Sequence, residues 1–202
     1  MHLRNLSFLA IPLNLVFLLY LMLKVCVFSL EWGAQTEHLP NLMSVGLIQA
    51  IFGFIYDHDV TVRFCVFGAN TIWVFWASSV AIAGSTRTIA ISPGWAIAYF
   101  YIPFVNFWAP FLAIRQLWNL SVALDAPVDA PAPGFFWPWW LAWLGAMLID
   151  LHLARLVQAK SWDVVYTDWL VFEVSAAIRL AIAATCFLRI LKGVGQALML
   201  DR

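Results

Sequence analysis

The sequence predicts an all-α integral membrane protein with four transmembrane helices. Three observations carry the prediction. Mean hydropathy is +0.87, with 64% of residues apolar and 11% charged, a balance outside the range of soluble domains. Four apolar runs, at 6–30, 60–83, 136–156 and 164–191, each supply the roughly 20 residues a helix needs to cross a bilayer. Finally, many of the 12 tryptophans sit near the ends of apolar segments: Trp32, Trp95, Trp137, Trp139, Trp140, Trp162 and Trp169. Indole rings favour the membrane interface, apolar body inward and N–H toward headgroups.

The elements follow in order. Residues 6–30 form span one. His2 and Arg4 precede it as in a signal peptide, but the run outlasts a signal's apolar region and no small-x-small cleavage site follows. A polar loop leads to the apolar stretch 42–56, which Asp57-His58-Asp59 ends. That stretch is short for a crossing, so an interfacial or re-entrant helix is expected there, or an extension of the next span. Span two is 60–83, with Arg63 at its start.

Residues 93–120 contain Pro93, Pro103 and Pro110 within an apolar context, with Asn106 in the middle and Arg115 near the end. An interior proline removes a backbone donor and clashes with the preceding turn. Ser92-Pro93 is a good cap and first-turn pair. A Pro-broken helix is therefore expected between spans two and three, interfacial or re-entrant, interrupted between Pro103 and Pro110. Residues 123–134 (ALDAPVDAPAPG) are the one linker-like stretch. Spans three and four, 136–156 and 164–191, complete a single membrane domain, with Glu173 and Arg179 inside span four.

The motifs Pro93-Gly94-Trp95-Ala96, Tyr99-Phe100-Tyr101-Ile102-Pro103, Asn106-Phe107-Trp108-Ala109-Pro110 and Arg115-Gln116-Leu117-Trp118 together resemble a bacterial membrane family, domain of unknown function 4328. Its pattern reads PGWA, an aromatic run into P-x-x-N-x-W-x-P, then R-x-x-W. The resemblance implies a multi-spanning architecture in the bacterial inner membrane. It implies no activity.

Charge excludes some functions. Lys plus Arg equals Asp plus Glu, at 11 each, so no basic field exists to attract nucleic acid. Arg4, Arg87, Arg115, Arg189, Lys192 and Arg202 fall on one predicted side, against Arg63, Arg155 and Lys160 on the other. This bias places both termini in the cytoplasm. Cys26, Cys65 and Cys186 lie in apolar runs without metal-type spacing. No phosphate-binding glycine loop, nucleophile elbow or nucleophile–base spacing occurs, so no enzyme is predicted and no cofactor is required.

Three sets of residues remain as candidates. Asn106 and Arg115, with Pro103, Trp108 and Pro110, form a polar site at the helix break. There, freed carbonyls, an amide and a guanidinium would hold an anionic headgroup. Alternatively, Asn106 caps the helix and Arg115 reaches lipid phosphate, Asp125 or Asp129. Asp150, His152, Glu173 and Arg179 are intramembrane ionisable residues. Glu173 and Arg179, six apart, cannot pair along one helix, so each needs a partner elsewhere; Arg63 or Arg155 suits Glu173. Asp57, His58, Asp59 and His152 are a sparse metal-ligand set.

The expected function is a non-catalytic small membrane subunit or scaffold, contacting lipids and associating with a larger complex or with itself. A small oligomeric transporter or channel using the broken helix is the alternative. A metal- or porphyrin-binding membrane protein is the second alternative.

Overall fold

The computed structural model describes residues 5–35, 46–87, 89–158 and 162–200, without the side chains of 5–9, 31–35, 47–49, 52, 56, 150–171 and 199–200. Its helices are α1 (Asn5–Gln35), α2 (Gly46–Ala83), α3 (Pro93–Ala98), α4 (Ala109–Ser121), α5 (Phe136–Gln158) and α6 (Trp162–Leu200), with a 3-10 turn at Val105–Phe107. No strand occurs among the described residues. Among these residues, three stretches are long and apolar enough to cross a membrane: Ala10–Leu30, Asp57–Ala83 and Phe172–Leu198. Phe136–Ile149 in α5 is a shorter apolar stretch. The chain is a helical membrane protein. Large apolar side chains such as Leu19, Phe64 and Leu141 accordingly point outward, where acyl chains are as apolar as the side chains themselves.

The expected boundary at Asp57-His58-Asp59 is absent. α2 runs unbroken from Gly46 to Ala83, so the predicted short helix is the first part of a long one; residues 42–45 lie outside the described ones. Two residues of the polar triplet find partners within the helix or beside it. His58 Nδ1 lies 3.0 Å from Phe54 O, one turn back, and its ring stacks on Phe54. Asp59 is held by two cations.

The chain divides into two units. The first comprises Met1–Leu15, Phe64–Pro138 and Cys186–Arg202; the second comprises Val16–Arg63 and Trp139–Thr185.

In the first unit α4 is the buried helix, with Phe111, Ile114, Leu117 and Leu120 inside. Trp118 meets Phe135 and Phe136 edge-on, and Phe111 meets Phe136 likewise. Trp118 also lies against Gly193 of α6, where an added Cβ would come within 2.7 Å of the indole. Glycine there allows the ring to rest on helix backbone. Asn14 and Asn70 exchange side-chain hydrogen bonds at 2.7 and 3.2 Å, a reciprocal pair that satisfies two amides in an apolar setting.

Residues 93–121 hold two short helices separated by a turn. Ser92 Oγ caps α3 by accepting from Trp95 N, with Pro93 in the first turn. α3 stops after Ala98, and α4 starts only at Ala109, with Pro110 in its first turn. Between them Phe104 adopts φ 65°, ψ −46°. Val105 N donates to Pro103 O at 2.8 Å, closing a γ-turn of the rare positive-φ kind, a strained conformation for a side-chain-bearing residue.

In the second unit Val27 and Phe28 of α1 pack with Ile55 of α2, flanked by Tyr20, Ile51 and Val174. Beside this apolar cluster sits the charge described next.

Candidate functional site

Lys24 lies within an apolar stretch of α1 and is 1% exposed. A lysine there needs an anion, because an isolated buried charge is far too costly. It has two. Nζ lies 2.9 Å from Asp59 Oδ1 and 2.7 Å from Glu173 Oε2. Arg63, one turn after Asp59 on α2, donates to Asp59 Oδ2 at 2.7 Å and reaches Glu173 Oε2 at 3.4 Å. Tyr20 Oη donates to Asp59 Oδ1 at 3.0 Å. The ammonium also lies 5.4 Å from the Phe28 ring centroid, within cation–π range.

Two cations thus face two carboxylates, joining α1, α2 and α6. The expected Glu173–Arg63 contact is present. Asp59, a predicted metal ligand, instead neutralises Lys24 and Arg63. Asp57 and His58 are exposed, and the His152 side chain lies outside the described residues. No group of three His, Cys, Asp or Glu assembles among the described residues; of the predicted acids, Asp59 is engaged with bases.

Arg179 differs. It is exposed within the apolar stretch Phe172–Leu198, and no partner for it occurs among the described residues. Its side chain crosses α5 at Gly145, where a Cβ would stand 2.7 Å from Nη1 and 3.2 Å from Cδ. With Val174, Ser175, Ile178 and Ile182 it lines a shallow groove of about 390 Å³. The side chain of Asp150, another of the predicted intramembrane ionisable residues, lies outside the described residues.

No hydrogen bond joins Asn106 to Arg115 among the described residues. Asn106 donates its backbone N–H to Ile102 O at 3.1 Å. It does not cap α4: that position is Trp108, which makes no side-chain capping bond. Ala98 O, Ile102 O, Pro103 O, Phe104 O and Val105 O accept backbone donors. Arg115 pairs with neither Asp125 nor Asp129, and its Nε is buried without a hydrogen-bond partner among the described residues.

The polar work of α4 falls instead to Gln116 and Asn119, both buried. Gln116 Oε1 accepts from Ala90 N (3.1 Å) and Ile91 N (2.9 Å), and Nε2 donates to Ile91 O (2.6 Å). Asn119 Nδ2 donates to Val128 O and Ala130 O, each at 3.0 Å. Arg87 donates to Asn119 O and Ala126 O. These bonds tie both connections flanking the broken segment to one helix. Sequence reasoning missed them, although Gln116 and Asn119 are three apart on one face of an apolar helix, a visible signal.

The family model described as a domain of unknown function (DUF4328) matches residues 58–196. The chain belongs to this family. The DUF4328 region takes in Asp59, Arg63, Glu173, Arg179 and the whole proline-broken segment, whereas Lys24 and Tyr20 come from α1, outside it. No curated protein and no solved structure matches the chain. Lys24 was the larger omission of the sequence reading. One lysine hardly lowers the average hydropathy of a 21-residue stretch, but its place six residues inside the end was a usable signal.

Proposed function

We propose that this DUF4328 protein is a non-catalytic membrane subunit or scaffold with four spans, α1, α2, α5 and α6. On this reading both termini are cytoplasmic, in the inner membrane of a bacterium. The segment 93–121 lies in the interface, with Trp95, Tyr101, Phe104 and Trp108 toward headgroups; each is exposed and of a type suited to that layer.

The observation that carries the reading is Arg179. Near the middle of a membrane helix, an arginine costs about 2.5–3.5 kcal/mol even on the lenient insertion scale. Lys24 and Arg63 have their cost offset within the chain by Asp59 and Glu173. Arg179 has no such offset among the described residues, and the reading assigns its neutralisation to an assembly.

Extraction of the protein from its own membrane together with surrounding lipid, followed by mass measurement, tests this. The reading expects a particle heavier than one 22.8 kDa chain plus lipid. A homogeneous single-chain particle contradicts it.

A further inference from the structure

We infer that the outward stripe of α6 formed by Arg189, Lys192 and Gln196 binds the phosphate of an anionic phospholipid at the membrane surface. The inference takes α6 as a span, as above, but does not rest on the subunit reading.

The helix builds the stripe. Over Cys186–Leu198, Arg189, Lys192 and Gln196 are the exposed residues, and every other position is buried or half-buried. Spacings of three and four put them on one face, with successive Cβ atoms about 5–6 Å apart. Both bases can therefore reach one phosphate. The Arg189 fork suits two of its oxygens, and the Lys192 ammonium adds a compact charge. Gln196, one turn further on, offers an amide to headgroup hydroxyls.

Contacts set the level of the stripe. The Trp118 ring rests on Gly193, the residue after Lys192. Asn119, next to Trp118 on α4, fastens Val128 O and Ala130 O of the connection that follows. Asp125 and Asp129 of that connection are exposed, and exposed carboxylates belong in water. This turn of α6 thus lies where apolar helix meets water, the layer that holds lipid phosphates and favours tryptophan.

Charge selects the occupant. By sequence, the bases of the first unit are Arg4, Arg87, Arg115, Arg189, Lys192 and Arg202, and its acids are Asp125, Asp129 and Asp201. Every acid of the unit enters this balance, and it stays positive. Asp125 and Asp129 pair with neither base of the stripe. A surface of this sign attracts anions. Basic sites on membrane helices at the headgroup level take lipid phosphate, and two bases fixed on a folded helix give it a defined seat.

The test uses the full chain in detergent, offered phosphatidylglycerol and phosphatidylcholine with the same acyl chains. The first bound lipid is identified by native mass measurement. Phosphatidylglycerol is expected to be preferred roughly tenfold. Arg189→Gln with Lys192→Gln is expected to abolish the preference, whereas Arg4→Gln with Arg202→Gln, which removes the same charge from the same unit, is expected to keep it. Equal binding of the two lipids to the unmodified protein overturns the inference without any variant needing to fold. An equal loss in both double variants would mean diffuse attraction and overturns it too. Abolition of the preference by millimolar inorganic phosphate would assign the stripe to a free anion, with the same consequence. None of these outcomes bears on the subunit reading, which the mass of the native particle decides.

Discussion

Lys24 shows how much one residue decides in an apolar setting. Its ammonium holds two carboxylates from two other helices. Removing one member of a buried ion set leaves the remaining charges unbalanced, which costs about 3–5 kcal/mol. Lys24→Met should therefore lower the thermal midpoint in detergent sharply. Combining it with Glu173→Gln, which removes one stranded charge, should recover part of the loss. A double variant no better than the single one would mean that Lys24 acts through packing and not charge. Gly193 is a second such residue. Its replacement by Ala would force the Trp118 ring away, and overpacking of this kind costs about 1–3 kcal/mol. Thermal unfolding of Gly193→Ala should show that loss, and adding Trp118→Leu, which frees the space, should reduce the effect of the alanine.

At the level of elements, the broken segment divides its tasks. The γ-turn at Phe104 sets the break, and α4 fastens the flanking connections. Because φ is positive at Phe104, glycine fits and a β-branched residue does not. Phe104→Val should unfold earlier than Phe104→Gly by about 1–3 kcal/mol. Gln116→Leu removes three hydrogen bonds to Ala90 and Ile91. Hydrogen exchange of the amides at 90 and 91 should accelerate while those inside α1 stay protected. Unchanged exchange at 90 and 91 would show that the connection holds without Gln116. The sequence made part of this legible. Ser92-Pro93 marked the α3 start. Asn106 drew attention because a mid-span amide is conspicuous, while Gln116 and Asn119 looked like ordinary polar positions near a helix end. Backbone hydrogen bonds to distant connections leave no mark on local pattern. The continuity of α2 was one of two readings that the sequence left open, for a related reason. Asp57-His58-Asp59 looks like a helix end until Lys24, from another helix, and Arg63 neutralise Asp59.

On the scale of the whole molecule, hydropathy was enough to establish a helical membrane protein, since apolar runs of spanning length have few other uses. Partnering among the charges was less legible. The six-residue separation of Glu173 and Arg179 showed that each needed a partner elsewhere, and Arg63 was a correct choice for Glu173. That separation could not show that Arg179 would lie across Gly145 at an exposed surface. The account's central claim is that another membrane chain neutralises this arginine. The most direct measurement places a photo-crosslinking amino acid at Ile182, beside Arg179, in the protein's own membrane. The account predicts a discrete protein adduct at Ile182 that disappears when Arg179→Gln is added, with the protein still present at normal level. Lipid adducts alone, unchanged by Arg179→Gln, would contradict it.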